Sequence, residues 1–361
     1  MAATNRLSWV DMAKGLSIFL VVMYHSTLGV GDALGEPGFM HYVLAFATPF
    51  RMPEFFLISG LFLSSVISRP WPKFADRRIV HYLYFYIVWA IIQIVVKEGI
   101  GNADPGTALS YLSWAIVQPY GVLWFIYLLA VFGTVAKLLW TFRVPHAPVW
   151  IAAAILQMLP VHTASYALDQ FAEYFVYFFT GYIAAPHVFR LAEEVQKSPK
   201  LAIIGLIVWA CIEAALVFSP GFHLFPDHVQ MGIAELPGFR LMLAIAGAIA
   251  VCVVAALLAK LPSFDPLRWL GAHSIVIYLS FVIPMAITRT VLIKFGLVTD
   301  PGILSLIVIA ASVAAPVALY GLVQWTGWGK FLFERPAWAH IPGTPGSLTP
   351  PIDRANRVPA E

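Results

Sequence analysis

The amino-acid sequence predicts an all-α, polytopic integral membrane bundle of about ten transmembrane helices, both termini in the cytoplasm. Three observations carry that prediction. The chain is 60% hydrophobic and only 11% charged, against about 25% charged in soluble domains. Apolar runs of bilayer-crossing length, roughly 17–25 residues, recur along it. On the resulting topology, 17 of the 22 Lys and Arg residues fall on one side, all but Arg51, Lys97, Arg240, Arg289 and Lys294. That asymmetry is the positive-inside rule and places the N-terminus inside. The 12 Trp, 14 Tyr and 26 Phe suit membrane interfaces and packed bundles. A net charge of +3 is too small to argue for a nucleic-acid partner. Cys211 and Cys252 lie in apolar spans, so neither a disulfide framework nor a cysteine metal site is implied.

Taken in order, the expected spans are 9–29, 40–67, 78–97, 121–142, 147–163, 167–189, 200–218, 238–260, 270–294 and 302–328. The first reads as a retained helix. Asp11 and Lys14 interrupt the short apolar region a cleaved signal peptide needs, and no small-x-small cleavage site follows. The second span is long and holds Arg51 and Pro53, which predicts a kink or a break. Between spans three and four, Tyr111–Gln118 is too short to cross and reads as a re-entrant or interfacial helix. The loop 219–237 collects His223, Asp227 and His228 without a metal-binding motif, so no metal site is expected there. Residues 1–335 form the membrane domain, and the proline-rich stretch 336–361 reads as a disordered cytoplasmic tail. No internal repeat is visible, which counts against a secondary transporter.

The chemistry-bearing residues stand out against this apolar background. The first span carries Lys14 and His25, eleven residues apart, which is roughly 16 Å of helix or about half the hydrocarbon core. An ionisable group inside a membrane is read as functional by default. Imidazole titrates near neutrality and can take a proton from a hydroxyl, so His25 is the candidate general base; a histidine bonded for packing is the plain alternative. Arg51 and Glu54 stand three residues apart in span two and are expected to share a helix face and pair. In the loop before span three, Lys73, Arg77 and Arg78 are basic residues that topology alone requires, and equally a docking site for phosphate groups. Asp169 and Glu173, followed by Tyr174 and Tyr177, are candidates for contact with a polar substrate.

These residues resemble a known family. Lys14, ten intervening residues and His25 match the Arg/Lys-x10-His pattern in the first helix of the acyltransferase-3 family of integral membrane O-acyltransferases. Met52-Pro-Glu-Phe-Phe-Leu-Ile-Ser-Gly60 looks like its Met-Pro-x-Phe-Phe-x-x-Ser-Gly segment. Lys73-Phe-Ala-Asp-Arg77, with Arg78, is similar to its basic Arg-x-x-x-Arg stretch; Leu123-Trp-Phe125 and Phe178-Phe-Thr-Gly-Tyr182 look like later signatures. The resemblance covers residues 6–330. It departs at Lys73, where Arg is frequent, at Glu54, where the residue is often apolar, and at Ser280-Phe281, where many members carry a second histidine.

The resemblance implies transfer of an acyl group, usually acetyl or succinyl, from cytoplasmic acyl-CoA to a carbohydrate or glycolipid hydroxyl on the far side of a bacterial inner membrane. Acyl-CoA is then a co-substrate, with no permanently bound cofactor. Lys14, Lys73, Arg77 and Arg78 would hold the CoA phosphates, and His25 would deprotonate the acceptor. Arg51, Tyr24 and Trp124 are the candidates for oxyanion stabilisation. A transporter or flippase using the same intramembrane Arg51, Glu54 and His25 is the alternative.

Overall fold

A computed structural model describes residues 7–101 and 104–349. Arg6, Arg354 and Arg357, which contributed to the charge asymmetry, and the last part of the tail lie outside the described residues. The chain divides into two compact units. One joins the residues up to Ser64 with Pro145–Leu322; the other joins Ser65–Val144 with the residues from Val323 onward.

The first unit holds α1 (Ser8–Leu34), α2 (Met40–Ala47) and α3 (Arg51–Leu61). The second holds α4 (Trp71–Ala75), α5 (His81–Ile94), α6 (Pro105–Trp114) and α7 (Trp124–Thr141). The first unit then resumes with α8 (His146–Met158), α9 (Tyr166–Lys197), α10 (Pro199–Val217) and α11 (Pro237–Leu258). Three short helices follow, α12 (Asp265–Ala272), α13 (Ser274–Ser280) and α14 (Val282–Lys294), before α15 (Pro301–Thr326). Strand is confined, among the described residues, to a two-residue antiparallel pair, His223–Leu224 with Val229–Gln230.

All ten expected segments contain helix. Among the described residues, six helices are long and apolar enough to cross a membrane: α1, Trp71–Ile100, Gly121–Thr141, α10, α11 and α15. A seventh is reached if α13 and α14, bent by 51° at Phe281, act as one span. Pro284 follows the bend in the first turn of α14, where its missing N–H is tolerated. This is an all-α, multi-pass membrane protein. α8 is apolar but only 13 residues long.

Local chemistry refines several expected boundaries. Span two is broken, and the break falls at Thr48–Phe50 rather than at Pro53. Pro49 has no N–H to continue α2, whereas Pro53 sits in the first turn of α3, where that loss costs nothing. The short helix between spans three and four runs Pro105–Trp114, earlier than expected. Asp104 fixes its start by accepting from the Thr107 N–H at 3.0 Å and hydroxyl at 2.6 Å, with Pro105 at the first position. The helix of Trp71–Ile100 widens into π-helical turns at Asp76–Val80 and Val95–Gly101. Such turns often mark functional positions.

Two pairs of glycines fix the first unit. Gly60 on α3 faces the Phe178 carbonyl on α9, and Gly181 on α9 faces the Leu57 carbonyl on α3. Gly15 on α1 and Gly271 on α12 meet the backbones of Leu267 and Asp11 in the same reciprocal way. In a bilayer, where apolar burial between helices gains little, such close backbone approach is what packs them.

In the second unit, the stretch 336–349 departs from the disorder its prolines suggested. It contains a 3-10 turn, Ala337–Ala339, and Thr344 is buried. The reason is tertiary: residues 335–341 supply the partners of a buried Asp76.

Candidate active site

The candidate residues of α1 lie along one stripe. Eleven residues at 3.6 per turn bring Lys14 and His25 within about 20° of each other around the helix. α3 runs antiparallel beside that stripe and meets it at three levels. Lys14 Nζ stands 5.7 Å from the Phe62 ring centroid. One helical turn on, the Ser17 hydroxyl lies 2.8 Å from Glu54 Oε2. Nearer the other end, the Arg51 guanidinium carbon lies 3.4 Å from the Tyr24 ring centroid.

The structure therefore brings His25, Tyr24 and Arg51 together. The His25 and Tyr24 rings meet edge to face with centroids 5.0 Å apart. Phe281, at the bend between α13 and α14, closes on His25 at 5.7 Å. His25 is half-buried. Arg51 is also half-buried, and its Nε has no hydrogen-bond partner. Further along α3, Phe56 stacks on Tyr174 of α9 with centroids 5.3 Å apart.

The expected Arg51–Glu54 pair does not form. Arg51 opens α3 and turns onto the Tyr24 ring, whereas Glu54 points at Ser17, fully buried, with Oε1 unpartnered. Ser17 is eight residues from His25 on α1, about 12 Å, so Glu54 sits at a different level from the imidazole. Asp169 is also committed elsewhere: its Oδ1 accepts from the Thr163 N–H and hydroxyl, both at 2.8 Å, and so fixes the turn before α9. Glu173 forms an ion pair with Arg240 on α11. Tyr174 and Tyr177 stand within the reach of that pair.

Two functional-looking cations were passed over in the sequence. Arg240 is one. The other is Arg289 on α14, whose Nη1 donates to the Gly29 carbonyl at 2.8 Å, one turn beyond His25 on α1. The available signal was that both stand in or beside spans and break the positive-inside pattern.

In the second unit, Lys73 is exposed on α4, and Arg77 and Arg78 occupy the π-turn that follows. Arg77 is exposed, while Arg78 is half-buried with Nη1 3.5 Å from the Tyr82 hydroxyl. Trp124 is nearly buried at the first position of α7. Among the described residues, no group of three or more His, Cys, Asp or Glu side chains is placed to hold a metal ion.

Comparison with known proteins decides the family. A family model described as an acyltransferase domain matches residues 7–321. The chain belongs to the acyltransferase-3 family. It is also 39% identical over 83 residues to the inner membrane protein YcfT of Escherichia coli (strain K12), across 20% of this chain and 23% of that relative. The chain thus spans about a quarter of that relative's length in the match. No solved structure matches it. As an acyltransferase set in a bilayer, the protein must receive both an acyl donor and an acceptor. Of Ser280 and Phe281, where the resemblance departs from the family, Phe281 packs on His25. The neighbouring Ser280 hydroxyl turns back to the Val276 carbonyl at 2.8 Å.

Proposed function

We propose that this protein moves an acetyl or succinyl group from cytoplasmic acyl-CoA to a hydroxyl of a periplasmic or surface carbohydrate, across a bacterial inner membrane. The observation that carries the proposal is the His25–Tyr24–Arg51 cluster where apolar α1 meets the start of α3. It sets an imidazole and a guanidinium against the same tyrosine ring, half-buried, where lipid alone would exclude both. His25 takes the proton of the acceptor hydroxyl as its oxygen attacks the thioester carbonyl. Arg51, with donors left over from its contact with Tyr24, stabilises the oxyanion. Collapse expels the CoA thiolate, which takes the proton back from His25. Glu54 serves as a buried tie to Ser17, holding α3 on α1. The exposed Lys73 and Arg77 and the half-buried Arg78 contact the phosphate groups of the donor. Ten spans with both termini inside are the topology that admits donor and acceptor from opposite faces.

The test is transfer from labelled acetyl-CoA and succinyl-CoA to candidate glycans by purified protein in nanodiscs, with products read by mass spectrometry. Proton-driven uptake of a glycan without CoA, and no acylated product, would point to a transporter instead. In the same assay, Arg77→Ala and Arg78→Ala are each expected to raise the KM for acyl-CoA about tenfold with kcat little changed. One charge-assisted hydrogen bond is worth roughly that much. An unchanged KM in both variants would remove the basic stretch from donor binding.

A further inference from the structure

The acidic residue inside the basic stretch is handled in a way the family match does not describe. Asp76 lies between Lys73 and Arg77 and is almost wholly buried. Of the cations in the stretch, Lys73, three residues before it, is the one spaced to meet its carboxylate on a helix. The carboxylate pairs instead with residues beyond the family-matched region, which ends at 321. Arg335 Nη1 donates to the Asp76 carbonyl at 2.7 Å, and Nη2 donates to Oδ2 at 2.6 Å. The Ile341 N–H donates to Oδ1 at 2.8 Å. Arg335 Nη2 also lies 2.8 Å from His340 Nδ1, which accepts, so the same guanidinium orients the histidine.

The segment is fastened further along the helix. The Tyr84 hydroxyl donates to the Phe331 carbonyl at 2.9 Å, and Trp89 Nε1 donates to the Leu332 carbonyl at 2.9 Å. Phe333 packs on Trp89 with centroids 5.7 Å apart. All of these partners belong to one compact unit. Meanwhile Arg77 remains exposed and makes no ion pair or hydrogen bond among the described residues.

We infer that residues 328–349 are a clamp and that Arg335 is a positioning residue for the basic stretch: by occupying Asp76, it leaves the cations of that stretch, Lys73 three residues before it and the exposed Arg77, free for the phosphate groups of the acyl donor. The inference rests on the donor-binding reading of that stretch given above. A strap that blocked the site would cover Arg77; this one engages Asp76, Tyr84 and Trp89. Without Arg335, the Asp76 carboxylate becomes an intramolecular competitor for the cations that the donor needs.

The experiment uses the full chain in nanodiscs with CoA as the probe, in the wild type, Arg335→Gln, Arg335→Lys and the double variant Arg335→Gln/Asp76→Asn. Arg335→Gln should weaken CoA binding about tenfold, with kcat at saturation near that of the wild type. Arg335→Lys should lose less. The double variant should recover affinity, because no carboxylate is left to compete for those cations; a merely structural arginine would instead lower the folded fraction and leave the affinity of the folded protein unchanged. Hydrogen exchange at 328–349, which needs no donor, should rise in Arg335→Gln. Unchanged CoA affinity in Arg335→Gln, or no recovery in a double variant that still elutes as a folded peak, would overturn the inference. A wild type that binds no CoA removes the donor reading and the positioning role together, while unchanged exchange removes the clamp itself.

Discussion

Replacing His25 by asparagine is expected to cut acyl transfer by roughly 10²–10⁴, the usual contribution of a positioned general base. Binding of CoA should be unchanged. Asparagine keeps the size and polarity of the site and cannot accept a proton in the reaction. The neighbourhood argues that the loss would be chemical rather than structural. His25 contributes ring contacts to Tyr24 and Phe281, and among the described residues it makes no hydrogen bond that holds α1 to another helix. The measurement is single-turnover transfer from labelled acetyl-CoA, with CoA affinity determined on the same preparations. Equal rates for wild type and His25→Asn would leave the imidazole with a packing role only. A parallel loss of CoA affinity would instead move His25 into donor binding. Arg51→Lys provides the contrast. The flat guanidinium lies on the Tyr24 ring and an ammonium cannot reproduce that geometry, so this variant should slow transfer while leaving the base in place.

Much of this site was legible in the chain because it depends on local spacing. Lys14 and His25 share a helix, so their separation and common stripe follow from 3.6 residues per turn. The break of span two was legible as well, though its place depended on which proline fell in a first turn. What failed was the direction of side chains across helices. Arg51 and Glu54 are spaced to pair, yet each found a partner on α1, Tyr24 and Ser17, that no local rule names. Asp169 looked like a substrate ligand and is held by a threonine six residues earlier. The greatest gap is the C-terminal segment. Proline content suggested disorder, but Asp76 and Arg335 are 259 residues apart, and composition says nothing about such a contact. Arg240 and Arg289 were visible as charges out of place, and that same oddity marks their contacts with Glu173 and α1.

Gly181→Ala and Gly60→Ala are each expected to destabilise the protein by about 1–3 kcal/mol, the range for overpacking a tight contact, and to lower transfer activity as well. A Cβ at residue 181 would fall on the Leu57 carbonyl, and one at residue 60 on the Phe178 carbonyl. Both obstacles are backbone, so relief requires α3 and α9 to separate. α3 carries Arg51 and α9 carries Tyr166, Glu173 and Tyr174, so separation would also pull the cluster around His25 apart. Gly205→Ala on α10 is the matched control, since nothing lies within 4 Å of its added Cβ. Inside a helix it should be neutral or stabilise by roughly 0.5–1 kcal/mol. Thermal unfolding followed by tryptophan fluorescence, beside transfer rates on the same samples, separates the cases. If Gly181→Ala melted with Gly205→Ala and the wild type, the close approach of α3 to α9 would not be what holds Arg51 against Tyr24. The loss of activity should track the melting shift across the two interface variants, because one rigid contact sets both stability and the geometry of the site.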